Sequence, residues 1–272
     1  MCALNKAMTI AGLDVSGGAG IAADLKTFQA LDIYGMAALT VIVSQNPHNA
    51  WDHEIFPIDI SIIKKEIETI ILGVGIDAMK TGMLGSAELV ELVVDTIDKY
   101  NLKNVVIDPV MVCKPMNTIM VPEAAAAIKQ LLVSRCLVIT PNIIEAAYLA
   151  DMESVTTIDE IKEAATKIQE LGAKYVVIKG GERLAEEEAI DVFYDGKDFS
   201  LMKAKKIFPS YNHGAGCTYS AALTAGIANG LSVVDAVQMA KQFVSVALKE
   251  SFYLNEYTGA VNHCAYKYRK DS

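Results

Sequence analysis

The run Tyr211-Asn212-His213-Gly214-Ala215-Gly216-Cys217-Thr218 passes from a glycine-rich turn into small residues with helical spacing over Tyr219–Asn229. Such a step sets the unhindered backbone N–H groups of Gly214, Ala215 and Gly216 at a helix start, where unpaired donors and the helix dipole favour an anion. Cys217 falls in the first turn. The same field lowers a thiol pKa toward neutrality, so a thiolate base or nucleophile is feasible there. His213 is the rival base, and a buried, inert cysteine at a close helix contact is the competing account of Cys217.

A second loop, Gly12–Gly20, contains Gly18-Ala19-Gly20-Ile21-Ala22-Ala23, which fits GxGxxA. An oxidoreductase that binds NAD(P) on such a turn requires an acidic residue closing the second strand to hold the ribose. That strand closes on Val43-Ser44-Gln45-Asn46, without a carboxylate. The NAD(P)-binding oxidoreductase stays an alternative without its ribose carboxylate, beside two other accounts: a tight turn needing positive φ, or a turn where Asp14 and the glycines let a small polar substrate lie against backbone. The stretch Gly75–Thr81 lacks the second glycine of a P-loop.

Other groups fit phosphoryl transfer. Asn142 and Glu145 lie at a helix start behind Pro141, where capping is the ordinary explanation. Asp108 ends the run Val105-Val106-Ile107 and offers oxygen to Mg²⁺ or its waters, though strand-end aspartates are often turn residues. Lys179 precedes Gly180-Gly181 and suits a phosphate, with a solvated surface lysine as the alternative.

These loops need a frame. Apolar, β-branched runs at Ala7–Gly12, Met36–Ser44, Ala78–Met83, Asn104–Met111, Leu137–Thr140, Tyr175–Lys179 and Ile190–Tyr194 alternate with helical spacing over Gly20–Leu31, Ile60–Leu72, Ser86–Tyr100, Pro122–Val133, Ile143–Ala150 and Asp159–Leu171. Helices over Gly216–Asn229 and Ser232–Glu250 close the chain. Continuous apolar strands suit a sheet covered on both faces, so the order predicts an α/β fold: a three-layer, doubly wound, mostly parallel sheet with right-handed crossovers. Ligands then bind beyond the carboxyl ends of the strands, where every loop named above lies.

With 272 residues, 52% of them hydrophobic, the chain reads as one domain, 1–272, with no linker or repeat. A net charge of -9 argues against a nucleic-acid partner. No apolar run reaches the roughly 18 residues of a membrane helix, and no signal segment leads the chain, so a cytoplasmic protein is expected. Five cysteines without CxxC spacing disfavour disulfides and zinc.

Together, Asp14 through Phe28, Lys80-Thr81-Gly82-Met83-Leu84, Asp108-Pro109-Val110-Met111, Thr140-Pro141-Asn142 with Glu145, and Gly214-Ala215-Gly216-Cys217-Thr218 resemble the ribokinase superfamily across about residues 6–265. Within it the chain is similar to the hydroxymethylpyrimidine and phosphomethylpyrimidine kinase branch, which carries Cys where most of the superfamily carries Asp. The run Met111-Val112-Cys113-Lys114 resembles the lid motif of a dual-cysteine subgroup that phosphorylates pyridoxal, pyridoxine and pyridoxamine, whereas Gln45 resembles the glutamine with which pyrimidine kinases read the aminopyrimidine. The resemblance implies ATP and Mg²⁺ as cofactors, a homodimer, Cys217 as base and Gly214, Ala215 and Gly216 as anion hole. It implies that Asp14, Gly20, Gln45, Met79, Val110 and His213 line the vitamin pocket, with Cys113 on a lid near 112–120. Lys179, Asn142, Glu145 and Asp108 then serve the nucleotide, with Glu145 and Asp108 on the metal. A catalytically silent vitamin-binding protein is the non-enzymatic alternative.

Overall fold

Short apolar runs become strands with almost no exposed surface, and the polar loops between them fall at strand ends. The computed structural model describes residues 4–112, 118–208 and 211–268. In chain order the first segment holds β1 (Lys6–Asp14), α1 (Gly20–Ala30), β2 (Tyr34–Asn46), β3 (Asp52–Pro57), α2 (Ile60–Glu68) and β4 (Ala78–Thr81). The middle segment holds α3 (Ala87–Tyr100), β5 (Val105–Ile107), α4 (Pro122–Ala127), β6 (Val138–Ile139), α5 (Ile143–Leu149), α6 (Ile158–Glu170), β7 (Tyr175–Lys179), β8 (Glu188–Tyr194) and β9 (Phe199–Lys205). The last holds α7 (Ala215–Ala228), α8 (Val233–Lys249), β10 (Phe252–Asn255) and β11 (Thr258–Ala260). The chain packs as two units, residues 1–83 with 207–272 and residues 84–206.

In the first unit the strand order is β3-β2-β1-β4. β1 pairs in parallel with β2 and with β4, and β3 runs antiparallel to β2. Helix α7 lies against α1, α8, β1 and β4. Every residue from Thr218 to Ala228 is buried, which accounts for a helix of small residues with no polar face. Beneath the first loop Lys80 and Asp24, both fully buried, form an ion pair at 2.8 Å, and Thr9 donates to the same carboxylate at 2.6 Å. The ion pair ties α1 to β4.

In the second unit the order is β5-β6-β7-β8-β9. β5, β6 and β7 are parallel, while β8 and β9 are antiparallel. The strand expected at Ile190–Tyr194 forms as β8 and returns antiparallel to β7. Only residues 180–187 separate β7 from β8, too short for the dozen or more residues a crossover needs. Four further strands, β3, β9, β10 and β11, escaped the pattern reading. β3 is exposed throughout and β9 nearly so, and neither has the burial that makes an apolar run. The helix expected over Pro122–Val133 is α only to Ala127 and then widens into a π turn over Ile128–Leu132.

Candidate active site

In the first unit Ser16, Gln45 and His213 converge on one carboxylate. Asp14 ends β1, where its Oδ1 accepts from the Ser16 N–H at 2.9 Å and from Gln45 Nε2 at 2.8 Å. Its Oδ2 accepts from Ser16 Oγ at 2.9 Å, the Ala19 N–H at 2.9 Å and His213 Nε2 at 2.6 Å. Burial alone would raise its pKa, but the hydrogen bonds from His213, Ser16 and Gln45 hold it well below the usual carboxylate range. An ionised carboxylate only accepts, so His213 Nε2 carries a proton and Gln45 turns its NH₂ toward Asp14. The Gln45 carbonyl oxygen is left facing elsewhere.

The loops that carry these groups touch backbone to backbone. Gly20, at φ +56°, sits so close to the Gly12 carbonyl that a Cβ would overlap it. A Cβ on Gly214, at φ +82°, would overlap the Gly18 carbonyl, and one on Gly18 would overlap the His213 ring. His213 is further held in the chain by its N–H to Gly259 O at 3.2 Å and by the Val261 N–H to its carbonyl at 3.4 Å.

Gly214 is the N-cap of α7, with no side chain capping the helix. The Ala215 N–H is engaged with Asn212 O at 3.1 Å, and the Thr218 N–H with Gly214 O at 2.8 Å. Cys217 is half-buried in this first turn, whereas Cys136 is buried and its thiol is pushed up to about 12 by that burial. Met79 lies in β4 with no exposed surface. His263, which sequence spacing gave no reason to single out, is buried with Nε2 3.0 Å from Thr218 Oγ1. Burial, aided by the charge of Lys26, pushes it down to about 4, so it stays neutral at physiological pH and pins the first turn of α7.

In the second unit Asp108, Asn142 and Lys179 stand at or just after the ends of β5, β6 and β7. Lys179 Nζ is 2.9 Å from Asp108 Oδ1, and Thr140 Oγ1 donates to the same oxygen at 3.3 Å. Asp108 O accepts from the Val110 N–H at 2.9 Å. Asn142 caps α5, accepting from the Ile144 and Glu145 N–H groups at 2.9 and 3.1 Å, and Glu145 returns the contact to the Asn142 N–H at 2.9 Å. The capping box therefore forms, and it holds Glu145 almost fully buried. Burial pushes the Glu145 carboxyl up to about 7, with Lys179 drawing it down and Asp108 pushing it further up. Two mutually repelling acidic groups beside one lysine make a hard-oxygen donor set that fits a divalent cation. Among the described residues no cluster of three or more His, Cys, Asp or Glu marks a metal site. Cys113, expected on a lid, lies outside the described residues, which resume after Asn117.

A family model described as phosphomethylpyrimidine kinase matches residues 14–262. The chain is 51% identical to the pyridoxine kinase of Bacillus subtilis (strain 168) over 269 residues, 99% of each chain. It is 38% identical to the hydroxymethylpyrimidine/phosphomethylpyrimidine kinase of the same organism, over 96% of each. Its structure is similar to that of Bacillus subtilis pyridoxal kinase in an ADP complex, with a TM-score of 0.96 at 51% identity, covering 98% of this chain and 100% of that one.

Proposed function

The chain belongs to the phosphomethylpyrimidine kinase family, and from that premise we propose that it transfers the γ-phosphoryl group of ATP to the hydroxymethyl group of pyridoxal, pyridoxine and pyridoxamine. The observation that carries the reading is the loop 211–217. It holds His213 on Asp14 and, four residues on, brings Cys217 to the start of α7. One short segment thus serves substrate orientation and proton transfer together.

Asp14, Gln45 and His213 form a polar network that orients a heterocycle, with the Gln45 carbonyl oxygen accepting from a ring substituent. Cys217 takes the proton of the hydroxymethyl O–H as that oxygen forms its bond to phosphorus and the bond to ADP breaks. The start of α7 faces the developing negative charge with backbone donors and dipole. Lys179 neutralises phosphate charge, and Glu145 and Asp108 would hold Mg²⁺, which when bound neutralises nucleotide charge further. A homodimer in the cytoplasm completes the proposal. Among the described residues no helix is long and apolar enough to cross a membrane.

Gln45 supports a second reading, since the same amide oxygen suits the exocyclic amine of an aminopyrimidine. The deciding experiment offers pyridoxal, pyridoxine, pyridoxamine and hydroxymethylpyrimidine in turn with ATP and follows ADP release. A kcat/KM for pyridoxal above that for hydroxymethylpyrimidine is expected, and the reverse order selects the pyrimidine reading. Vitamin binding without ADP release from any of them selects a silent binding protein.

A further inference from the structure

We infer that Asp191 is a positioning residue for nucleotide binding, acting through the turn that follows Lys179. The inference rests on the reading of Lys179 as a phosphate ligand. β8 is otherwise an apolar strand through its middle, Ala189-Ile190-Asp191-Val192-Phe193, and a carboxyl group there is out of keeping with its neighbours. Asp191 is only 4% exposed. A polar group so placed needs partners to offset its desolvation.

Two of its partners are backbone N–H groups. Asp191 Oδ1 accepts from the Gly180 N–H at 3.1 Å and from the Gly181 N–H at 3.5 Å. In the β7–β8 register Asp191 stands directly opposite Lys179, so its carboxyl lies on the lysine's own face of the sheet. The lysine ammonium pairs with Asp108, and Asp191 holds the Gly180 N–H.

The turn is closed by the Arg183 N–H to Gly180 O bond at 3.3 Å, and Asp191 adds a side-chain anchor at its start. Gly180 cannot carry a side chain, because a Cβ would overlap the Ile190 carbonyl, and Gly181 bends to φ +57° with open space around it. Two consecutive glycines lack side-chain packing to fix their dihedrals. Their N–H groups converge on one buried carboxyl oxygen, and this sets where the chain leaves β7. On the other side the Lys179 N–H to Pro141 O bond, at 2.9 Å, locks the strand end to the loop carrying Asn142. Asp191 therefore fixes the backbone from which Lys179 reaches out, without touching the nucleotide itself.

The test measures ADP affinity by calorimetry, with KM for ATP and for pyridoxal, in wild type, Asp191→Ala and Asp191→Asn. Leaving the buried Gly180 N–H and the half-buried Gly181 N–H without their acceptor should weaken ADP binding and raise KM for ATP on the order of tenfold in Asp191→Ala. KM for pyridoxal should stay as in wild type. Asp191→Asn, which keeps an oxygen able to accept both N–H groups, should recover most of the loss. If Asp191→Ala does not fold, Asp191→Asn carries the test alone: ADP affinity and amide hydrogen exchange of Gly180 and Gly181 should both stay close to wild type, and ADP affinity lost while those two amides stay protected overturns the inference. Wild-type ADP affinity in Asp191→Ala, or equal weakening of ADP and pyridoxal, also overturns it. A wild-type protein that binds no ADP overturns the kinase reading along with this one.

Discussion

Cys136 and Cys217 show how environment divides one residue type into two chemistries. The first is sealed in an apolar surrounding that holds its thiol protonated, and the second stands half-buried where a helix begins. Cys217→Ala should lower turnover by roughly 10²–10⁴-fold, the range for losing a positioned proton acceptor, with a smaller effect on nucleotide affinity. His213→Ala should instead act mainly on KM for the vitamin, because the Nε2 proton of His213 is committed to Asp14. Steady-state kinetics that leave Cys217→Ala near full turnover and abolish it in His213→Ala would reverse the assignment. Glu145 sets a pH dependence of its own. Its folded pKa of about 7 lies above its ordinary 4.5, so the folded state binds the proton more tightly. Its contribution to stability is therefore complete below about 4.5 and is lost as pH rises through about 7. A cation needs the ionised form. Affinity for ADP with Mg²⁺ should thus increase as pH rises through about 7, and the increase should flatten in Glu145→Gln; titrations on either side of that value check it.

At the scale of elements, the two glycine turns predict different costs for the same substitution. Gly214→Ala meets both a left-handed backbone and the Gly18 carbonyl, so the α7 start must part from the first loop. It should cost more than about 2 kcal/mol and weaken vitamin binding as well. Gly181→Ala has φ +57° but nothing within 4 Å, and should cost only about 1 kcal/mol from the backbone. Thermal melts of the two variants, with pyridoxal titrations, decide between them. Much of this framework was legible in advance, for a physical reason. β5 and β6 are buried at every position and apolar at every position, so each run stands out, while β4 is as buried and carries Lys80 only because Asp24 pairs with it. Edge strands carry no such mark. β3 reads Asp52-His53-Glu54-Ile55-Phe56-Pro57 and looks like a loop, while β9 is foreshadowed only by the Asp195-Gly196 turn, where Asp195 accepts from the Lys197 and Asp198 N–H groups. At the site, Asp14, Gln45, Cys217 and Lys179 were visible as strand-end or helix-start residues. Asp191 and His263 were not, because each acts by holding backbone or a hydroxyl inside the fold, and contacts between residues distant in sequence leave no local spacing to read. For Asn142 and Glu145, capping and a phosphate-side role looked like alternatives, yet the capping box itself buries Glu145 beside Lys179 and Asp108.

For the molecule as a whole, the proposed homodimer turns on which sheet edge stays unprotected. An open edge offers unpaired N–H and C=O groups, and lysines or prolines along it are the usual guard. β9 has such a guard: Lys203 and Lys205 lie along it, and Lys203 pairs with Glu188 at 3.2 Å. β3 ends in Pro57, but Ile55 and Phe56 remain 48% and 51% exposed. Close to its first residue Trp51 stacks on Tyr257, itself half exposed, which extends the apolar surface toward the β10–β11 hairpin. A second copy placed about a two-fold axis would present the same surface in return, so one patch covers itself. The net charge of -9 opposes that approach, and apolar burial must outweigh it, most easily where salt screens the repulsion. Light scattering at micromolar concentration should therefore give a dimer whose dissociation weakens as salt is raised. Phe56→Glu, which adds a charge to each copy at the centre of the exposed edge, should shift the protein toward monomer while leaving its thermal melt close to that of wild type. A monomer in the unmodified protein would count against the dimer, and a Phe56→Glu protein that remains dimeric would move the interface off β3.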